Sequence, residues 1–186
     1  MQDPSAKAWA EFDEIPNTKF SDFLVVRSKI DELTDKIAGK EKNIVDNPIV
    51  LHVHSPTCPD MTLIDLPGIT RIPLKDSGQP SNIEEITKRM ALKYVADKRT
   101  IILCVIPANI DLTTSEALQL AKRVDEPGFR TIGVITKIDI MDKGTSAKKT
   151  LMGQEVPLRL GYVGVKLRSQ QDILDKKSVK DALEVI

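Results

Sequence analysis

Apolar residues recur along this chain with two different spacings, and each spacing predicts one kind of element. Residues 20–38 carry apolar side chains every three or four positions, which predicts an amphipathic helix capped by Ser21 and ended by Gly39. Residues 49–54 are apolar at first and then alternate, with His52 and His54 on one face, and residues 61–65 form a short apolar run. Both patterns predict strands, and the proline-rich turn between them favours an antiparallel pair.

From residue 81 onward, predicted helices alternate with predicted strands. The strand at residues 101–106 is apolar at every position apart from Cys104, as expected of a parallel strand covered on both faces. The alternation predicts an α/β fold with a mostly parallel sheet, helices on both faces, and ligands bound at the carboxyl ends of the strands. Helices are predicted at residues 81–95, after the cap at residues 113–116, after Gly144 and from about residue 178, and strands at residues 101–106, 131–136 and 162–166.

The apolar run at residues 61–65 leads directly into a motif suited to a phosphate and a metal ion. The run ends in Asp65, and Leu66, Pro67 and Gly68 follow it. A carboxylate at the rim of a sheet can accept hydrogen bonds from a water molecule held on Mg²⁺. Because Gly68 has no side chain, its backbone N–H can approach a terminal phosphate closely. Taken alone, this motif is equally well explained as a turn at the end of a strand.

A second motif, about seventy residues later, is suited to a guanine base. The strand at residues 131–136 is followed by Lys137, Ile138 and Asp139. The stem of the lysine can lie over a purine ring, and the carboxylate can accept from two guanine N–H groups, a donor pair that adenine lacks. A solvated lysine and a helix-capping aspartate are the alternative explanation. Both motifs in this order, with a strand and a helix between them, favour a guanine-nucleotide site.

Four longer strings extend this pattern to a known family. They resemble the dynamin superfamily, which comprises dynamins, dynamin-related division proteins and Mx proteins, and the resemblance runs from about residue 10 to residue 186. It implies an incomplete three-layer P-loop GTPase fold, of the Ras-like and dynamin-type G domain. The strings are TLIDLPGITR at residues 62–71, PAN at residues 107–109, RTIGVITKIDIMD at residues 130–142 and RSQQD at residues 168–172.

The resemblance implies a role for each matching residue. Asp65, through a water on Mg²⁺, and Gly68 would serve hydrolysis, and residues 69–76 would form the switch that reports it. A monovalent cation would assist GTP hydrolysis. Asp111 and Asp142 would face a second G domain, and an exposed loop acid is the alternative explanation for each. The implied GTP site consists of Asp65, Leu66, Pro67, Gly68, Thr136, Lys137, Ile138, Asp139, Leu167, Arg168, Ser169 and Gln170.

Two departures from the family pattern affect the expected activity. Relatives usually have Asn where this chain has Leu167, and the loss of that amide would weaken the contacts to the base. The sequence also contains no Gly-x-x-x-x-Gly-Lys-Ser phosphate loop. We therefore expect residues 1–186 to be a partial G domain without phosphate loop, first switch, stalk or membrane-binding parts, and inactive in isolation.

A missing phosphate-loop strand would leave a gap in the sheet between the strands predicted at residues 61–65 and 101–106. We expect one of three repairs: direct pairing of the two strands, insertion of a segment from residues 1–12, or a strand donated by a second copy. The parent protein would be a mechanochemical GTPase of membrane remodelling, fission or organelle division. A non-hydrolysing interaction module and a GTPase of translation or ribosome assembly remain alternatives.

Composition limits the remaining possibilities. With 186 residues, 41% of them hydrophobic, the chain can bury one core, which predicts one domain. Its 27 acidic and 27 basic residues form no basic face, which argues against nucleic acid as a partner. We expect a cytoplasmic protein that reaches membranes only through parts outside this sequence. His52 and His54 have metal-ligating spacing but no third ligand nearby, so a plain polar face is predicted.

Overall fold

The computed structural model describes residues 7–39, 44–69, 80–141, 146–178 and 181. It divides into two compact units, Met1–Met90 and Ala91–Ile186. The first unit contains strands β1 (Trp9–Phe12), β2 (Ile15–Phe20) and β3 (Leu51–His54) and helix α1 (Phe23–Ala38), and helix α2 (Ile83–Val95) crosses the boundary. The second contains strands β4 (Ile102–Pro107), β5 (Thr131–Thr136) and β6 (Tyr162–Gly164), and helices α3 (Glu116–Val124), α4 (Lys148–Leu151) and α5 (Gln170–Leu174).

The first unit is an antiparallel sheet with α1 on one face. Its strand order is β2-β1-β3, and β1 pairs with β3 from Trp9 opposite His54 to Phe12 opposite Leu51. Alternation along β1 buries Ala10 and Phe12 on the side of α1. The sequence did not predict the β1–β2 hairpin, because β2 is polar and mostly exposed and so lacks an apolar pattern. The core consists of Ala10, Phe12, Val26 and Leu33.

Helix α1 starts later than the sequence predicted. Phe20 belongs to β2, where it pairs with Ala10, so the helix cannot include it. The cap is Asp22 and not Ser21, because the carboxylate of Asp22 accepts a hydrogen bond from the N–H of Leu24 at 2.8 Å. Gly39 ends the helix as predicted, with a φ of 76° that favours glycine.

The strand predicted at residues 61–65 is absent, and this prediction was wrong. Residues 61–69 have no regular secondary structure, and Leu63 is 79% exposed. An apolar run becomes a strand only when a neighbouring strand pairs with its backbone and covers its side chains. Its expected partner, β3, pairs instead with β1.

The second unit is a parallel sheet of order β4-β5-β6. Its core packs one face of β4 and β5 against α3, with Ile106 and Ile135 each only 1% exposed. The expectation that β4 is covered on both faces was wrong: Leu103 and Val105, which point to the other face, are 55% and 57% exposed. The buried members of the core are Ile102, Cys104, Ile106, Leu112, Leu118, Ala121, Ile135 and Val156.

The expected gap in the sheet is not closed within the described residues. There, β4 pairs with β5 and no other strand, residues 61–65 are unpaired, and β1 pairs with β2 and β3. Direct pairing and insertion of the N-terminal segment are therefore both absent from the described part of the chain. The helix predicted from about residue 178 falls almost entirely outside the described residues.

A buried ion network fixes the entry to β5. The carboxylate of Asp125 accepts from the N–H groups of Phe129 and Arg130, each at 3.0 Å, and from the hydroxyl of Thr131 at 2.6 Å. Burial would raise the pKa of Asp125, but these hydrogen bonds outweigh it and hold the pKa below its usual range. The guanidinium of Arg130 donates to the carbonyl groups of Thr100, Val95 and Val124.

Cys104 is buried and donates weakly to the carbonyl of Ala117 at 3.5 Å. Burial, with the charge of Asp125 nearby, raises the pKa of this thiol to about 11, so it remains protonated and unreactive at neutral pH. Within the described ranges, no helix has the length and apolar character needed to cross a bilayer.

Candidate functional site

The second motif lies at the carboxyl end of β5, where the strand ladder holds its first residue. Thr136 is 9% exposed, its carbonyl accepts from the N–H of Ala108 at 2.8 Å, and its hydroxyl donates to the carbonyl of Ile106 at 3.5 Å. These contacts fix the last residue of β5 to the end of β4. The chain then turns out of the sheet at Lys137, which has left-handed backbone angles of φ 58° and ψ 31°.

The turn gives the next three residues different exposures. Lys137 and Asp139 are exposed, whereas Ile138 between them is partly buried and packs against the core. Ile138–Ile140 form a single 3-10 turn, and no side chain caps its first residue. The ammonium group and the carboxylate thus both reach solvent from a short segment that a buried strand and an apolar side chain hold in place.

The loop after β6 reaches the same edge of the sheet. β5 and β6 are parallel, and the N–H of Val165 donates to the carbonyl of Ile135 at 2.8 Å, so the pairing extends beyond the end of β6. Leu167, which follows, is 68% exposed. Because carboxyl ends of adjacent parallel strands meet at one edge, the structure brings the two base-side segments of the predicted site together.

Arg168, Ser169 and Gln170 were predicted to form a loop over base and ribose, but they lead into a helix. Ser169 caps α5, and its hydroxyl accepts from the N–H of Asp172 at 3.1 Å, while the carboxylate of Asp172 accepts from the N–H of Ser169 at 2.9 Å. Gln170 is the first residue of α5. The guanidinium of Arg168 donates to the carbonyl of Lys177 at 2.9 Å.

The phosphate-side residues lie in the first unit, whereas the base-side residues lie in the second. Asp65, Pro67 and Gly68 are exposed, and Leu66 is partly exposed, in a segment without regular structure. Among the described residues, a Cβ added to Gly68 would meet nothing within 4 Å, and the backbone of Gly68 is not left-handed. Neither packing nor backbone conformation therefore requires glycine here. Of the predicted switch at residues 69–76, only Ile69 lies within the described residues.

Of the two acids predicted to face a second G domain, one can be described. Asp111 is exposed, and its carboxylate accepts from the N–H and the hydroxyl of Thr113, both at 2.8 Å. These two hydrogen bonds lower the pKa of Asp111, so it is charged at neutral pH. Asp142 lies outside the described residues.

The two histidines of β3 lie on the polar face of the antiparallel sheet and pair with carboxylates. His52 Nε2 is 2.9 Å from an oxygen of Asp13, and His54 Nε2 is 3.5 Å from an oxygen of Glu11. The ring of Trp9 stacks on His54, with centroids 3.9 Å apart. In the part of the chain that the structure describes, no three His, Cys, Asp or Glu side chains are grouped to hold a metal ion.

Two residues that sequence reasoning did not select lie beneath the base-side loop. They are Gly164, at the end of β6, where an added methyl group would lie close to the side chains of both Ile138 and Leu151, and Leu151 itself, at the end of α4. No local pattern in the sequence marks them, because the contact joins three separate segments. The helix α5 had a local signal that was overlooked, the capping box formed by Ser169 and Asp172.

An α/β unit with exposed polar motifs at the carboxyl ends of adjacent parallel strands belongs to the class of open α/β proteins, which bind ligands at that edge of the sheet. Comparison with known families identifies the particular one. The sequence profile of the dynamin family matches residues 2–138, and that of the dynamin central region matches residues 146–185. The chain belongs to the dynamin family, and the identification made from the sequence strings is confirmed.

Individual relatives agree with this assignment. The chain is 51% identical to dynamin-related protein 3A of Arabidopsis thaliana, over 94% of this chain and 21% of that protein. It is 49% identical to dynamin-related protein DNM1 of Saccharomyces cerevisiae, over 96% of this chain and 23% of that protein. It is also 49% identical to dynamin-2 of Bos taurus, over 96% of this chain and 20% of that protein. The chain thus spans about a fifth of the length of these relatives.

The family match bears on the predictions from the sequence. The α/β class with a parallel sheet is confirmed, and it is consistent with an incomplete P-loop GTPase fold. Membership in the dynamin family decides against the alternative of a translation or ribosome-assembly factor.

Proposed function

We propose that this chain recognises the guanine base of GTP at the carboxyl ends of β5 and β6. The observation that carries the proposal is the exposed pair Lys137 and Asp139, presented on either side of the inward-facing Ile138. The carboxylate of Asp139 would accept from the two guanine N–H groups, and the stem of Lys137 would lie along the ring. Thr136 would hold this segment to β4 through its two hydrogen bonds.

The segment after β6 completes the base side of the proposed site. Leu167 would present an apolar surface to the base, and Ser169 and Gln170 would contribute backbone and amide groups at the start of α5. Because the guanidinium of Arg168 already donates to Lys177, we assign Arg168 to fixing this segment. An apolar Leu167 in place of an amide offers no hydrogen bond to the base, so we expect weaker binding than an amide would give.

The phosphate side is the second part of the proposal. Asp65 would hold Mg²⁺ through a water molecule, and Leu66, Pro67 and Gly68 would bring a backbone N–H to the terminal phosphate. The absence of a left-handed conformation at Gly68 is consistent with this role, since backbone geometry alone does not account for the glycine.

For the whole protein we propose GTP hydrolysis that drives membrane remodelling, fission or organelle division, with residues 1–186 as a partial G domain. Self-association through G domains would involve Asp111 and Asp142, and a monovalent cation would assist the reaction. Asp111 is already held as an ordered, charged side chain by Thr113, which suits a contact across an interface. We propose a cytoplasmic location with membrane contact through other parts of the protein.

Base recognition can be tested on the chain by ligand-observed NMR with GDP, ADP and XDP. Wild type should prefer GDP over XDP, and Asp139→Asn should move the preference toward XDP, because an amide can donate where a carboxylate only accepts. Lys137→Ala is the matched comparison, since the loss of the lysine stem should weaken the binding of all three nucleotides to the same extent. If Asp139→Asn keeps the original GDP preference, Asp139 does not contact the base.

A further inference from the structure

The base-side loop, residues 137–139, follows the hydrogen-bonded end of β5 and contacts the core of the second unit through the side chain of Ile138. Lys137 turns the chain out of β5 in a left-handed conformation, and no side chain caps the 3-10 turn that follows. Lys137 and Asp139 extend into solvent, whereas Ile138 packs against the core. The direction of the two exposed side chains therefore depends on where the side chain of Ile138 is seated.

Gly164 lies close to the side chains of both Ile138 and Leu151. A methyl group placed on Gly164 would lie 3.3 Å from Ile138 Cδ1 and 3.4 Å from Leu151 Cδ2, so it would press against both. The backbone of Gly164 is not left-handed, which means that the glycine is explained by space and not by conformation. In the β5–β6 ladder, Gly164 is opposite Ile135. Ile135 precedes Ile138 by only three residues.

We propose that Gly164, Leu151 and Ile138 form an anchor that positions Asp139 and Lys137 for the guanine base. The three act as positioning residues, and none of them touches the nucleotide, which changes the role that family resemblance implies for Ile138. The inference rests on the proposed base site. A close-packed interior transmits a small displacement of Ile138 to the short segment that carries Asp139, because packed side chains cannot absorb it locally.

The test measures base selectivity, expressed as the ratio of the dissociation constants of the chain for ADP and GDP. Gly164→Val should push Ile138 out of its seat and lower this ratio by about tenfold, roughly the effect of one lost hydrogen bond to a charged group. Partial unfolding would weaken the binding of both nucleotides by the same factor and leave the ratio of the dissociation constants unchanged. The matched control is Val163→Ala, one residue earlier on β6 and 51% exposed, which should keep the wild-type ratio.

A rescue variant tests the geometry of the anchor itself. Gly164→Ala should lower the ratio less than Gly164→Val, and adding Leu151→Ala should restore part of it, because the shortened Leu151 makes room for the methyl group. A double variant whose effect is the sum of the two single effects would overturn the proposed three-residue anchor.

A second measurement separates this inference from the base site on which it rests. In amide NMR spectra of the chain, Gly164→Val should shift the Lys137 and Asp139 signals, and Val163→Ala should leave them in place. If wild type does not discriminate GDP from ADP, the proposed base site fails. Unchanged Lys137 and Asp139 signals in Gly164→Val overturn the anchor, whether or not the chain prefers GDP.

Discussion

In the antiparallel sheet of the first unit, the face away from α1 carries polar side chains, whereas in the parallel sheet of the second unit the face away from α3 carries apolar ones. Side chains of the polar face contact one another: His52 is hydrogen-bonded to Asp13, and the ring of Trp9 stacks on His54. The apolar face exposes Leu103, Val105 and Val163, each by more than half.

The difference shows how much of its environment each strand sequence encodes. Alternation in β1 specifies one buried and one solvated face, and α1 supplies the single layer required. The side chains of β4 are apolar on both faces of the sheet, so its sequence predicts a packed layer against each face. The described residues form only one of these layers. On this face of the second unit, apolar side chains that the sequence predicts to be buried are exposed to solvent.

The largest effect on stability should come from adding a side chain at Gly133 of β5, where the ring of Tyr162 of β6 lies against the backbone. A methyl group on Gly133 would overlap the ring of Tyr162, whose hydroxyl is tied to the carbonyl of Val156 at 2.7 Å. Gly133→Ala should therefore lower the free energy of unfolding by about 3 kcal/mol, measured by urea titration and circular dichroism. Gly68→Ala is the matched control and should change stability by less than about 0.5 kcal/mol, because the added methyl group would meet no described residue within 4 Å. Equal effects of the two would contradict the packing of Tyr162 on Gly133.

A smaller effect, dependent on pH, should come from the buried network at the entry to β5. Asp125→Asn should cost about 1–3 kcal/mol at pH 7, because the amide cannot accept all the hydrogen bonds that the carboxylate accepts. Because folding lowers the pKa of Asp125, its contribution is complete above the unfolded pKa of about 4 and is lost as pH falls through the folded value.

Denaturant titrations between pH 7 and pH 2 would check this dependence. The stability difference between wild type and Asp125→Asn should shrink as pH decreases below about 4. Asp31→Asn, on the exposed side of α1, serves as the control and should follow the wild-type curve at a nearly constant offset. A difference that stays constant down to pH 2 would mean that Asp125 is not the carboxylate responsible.

Elements with a strong internal pattern could be predicted from the sequence, and those that depend on a distant partner could not. The helices α1 and α2 and the strands β4 and β5 were located because their apolar spacing is local. The strand expected at residues 61–65 failed because its partner pairs elsewhere. The hairpin with β2 was missed because β2 is stabilised by its pairing with β1 and carries little apolar pattern of its own.

The same distinction applies to the candidate site. Lys137 and Asp139 were expected at the carboxyl end of a strand, and the structure has them there, because the strand β5 and the motif are contiguous. Gly164 and Leu151 could not be identified, since their relation to Ile138 exists only after three segments pack together. Arg168 was expected in an open loop, and its bond to Lys177 depends on the unpredicted helix α5.

The exposed face of the parallel sheet provides a further test of the comparison. We expect the chain to self-associate through this face, because exposed apolar patches favour association, as does an edge strand such as β4 that has one partner among the described strands. Leu103→Lys combined with Val105→Lys should abolish association in analytical ultracentrifugation and change stability by less than about 1 kcal/mol, since both side chains are already exposed. Thr18→Lys, on an exposed position of β2, should leave association unchanged. A wild-type chain that is monomeric and unfolds cooperatively would show that the apolar face does not drive association.

The smallest expected effect concerns the phosphate side, which lacks the strand support of the base side. Asp65 and Gly68 lie in an irregular exposed segment, and the sequence contains no Gly-x-x-x-x-Gly-Lys-Ser loop to surround the phosphates with N–H groups and a lysine. Loss of one such electrostatic donor typically slows a reaction by about 10²-fold or more, so loss of the whole set should leave no measurable turnover. Phosphate release from GTP by the purified chain should therefore equal that of Asp65→Ala, at the level of the buffer. Turnover that is present in wild type and disappears in Asp65→Ala would show that the chain assembles a catalytic phosphate site without that loop. The contrast between an ordered base side and an unsupported phosphate side would then be wrong.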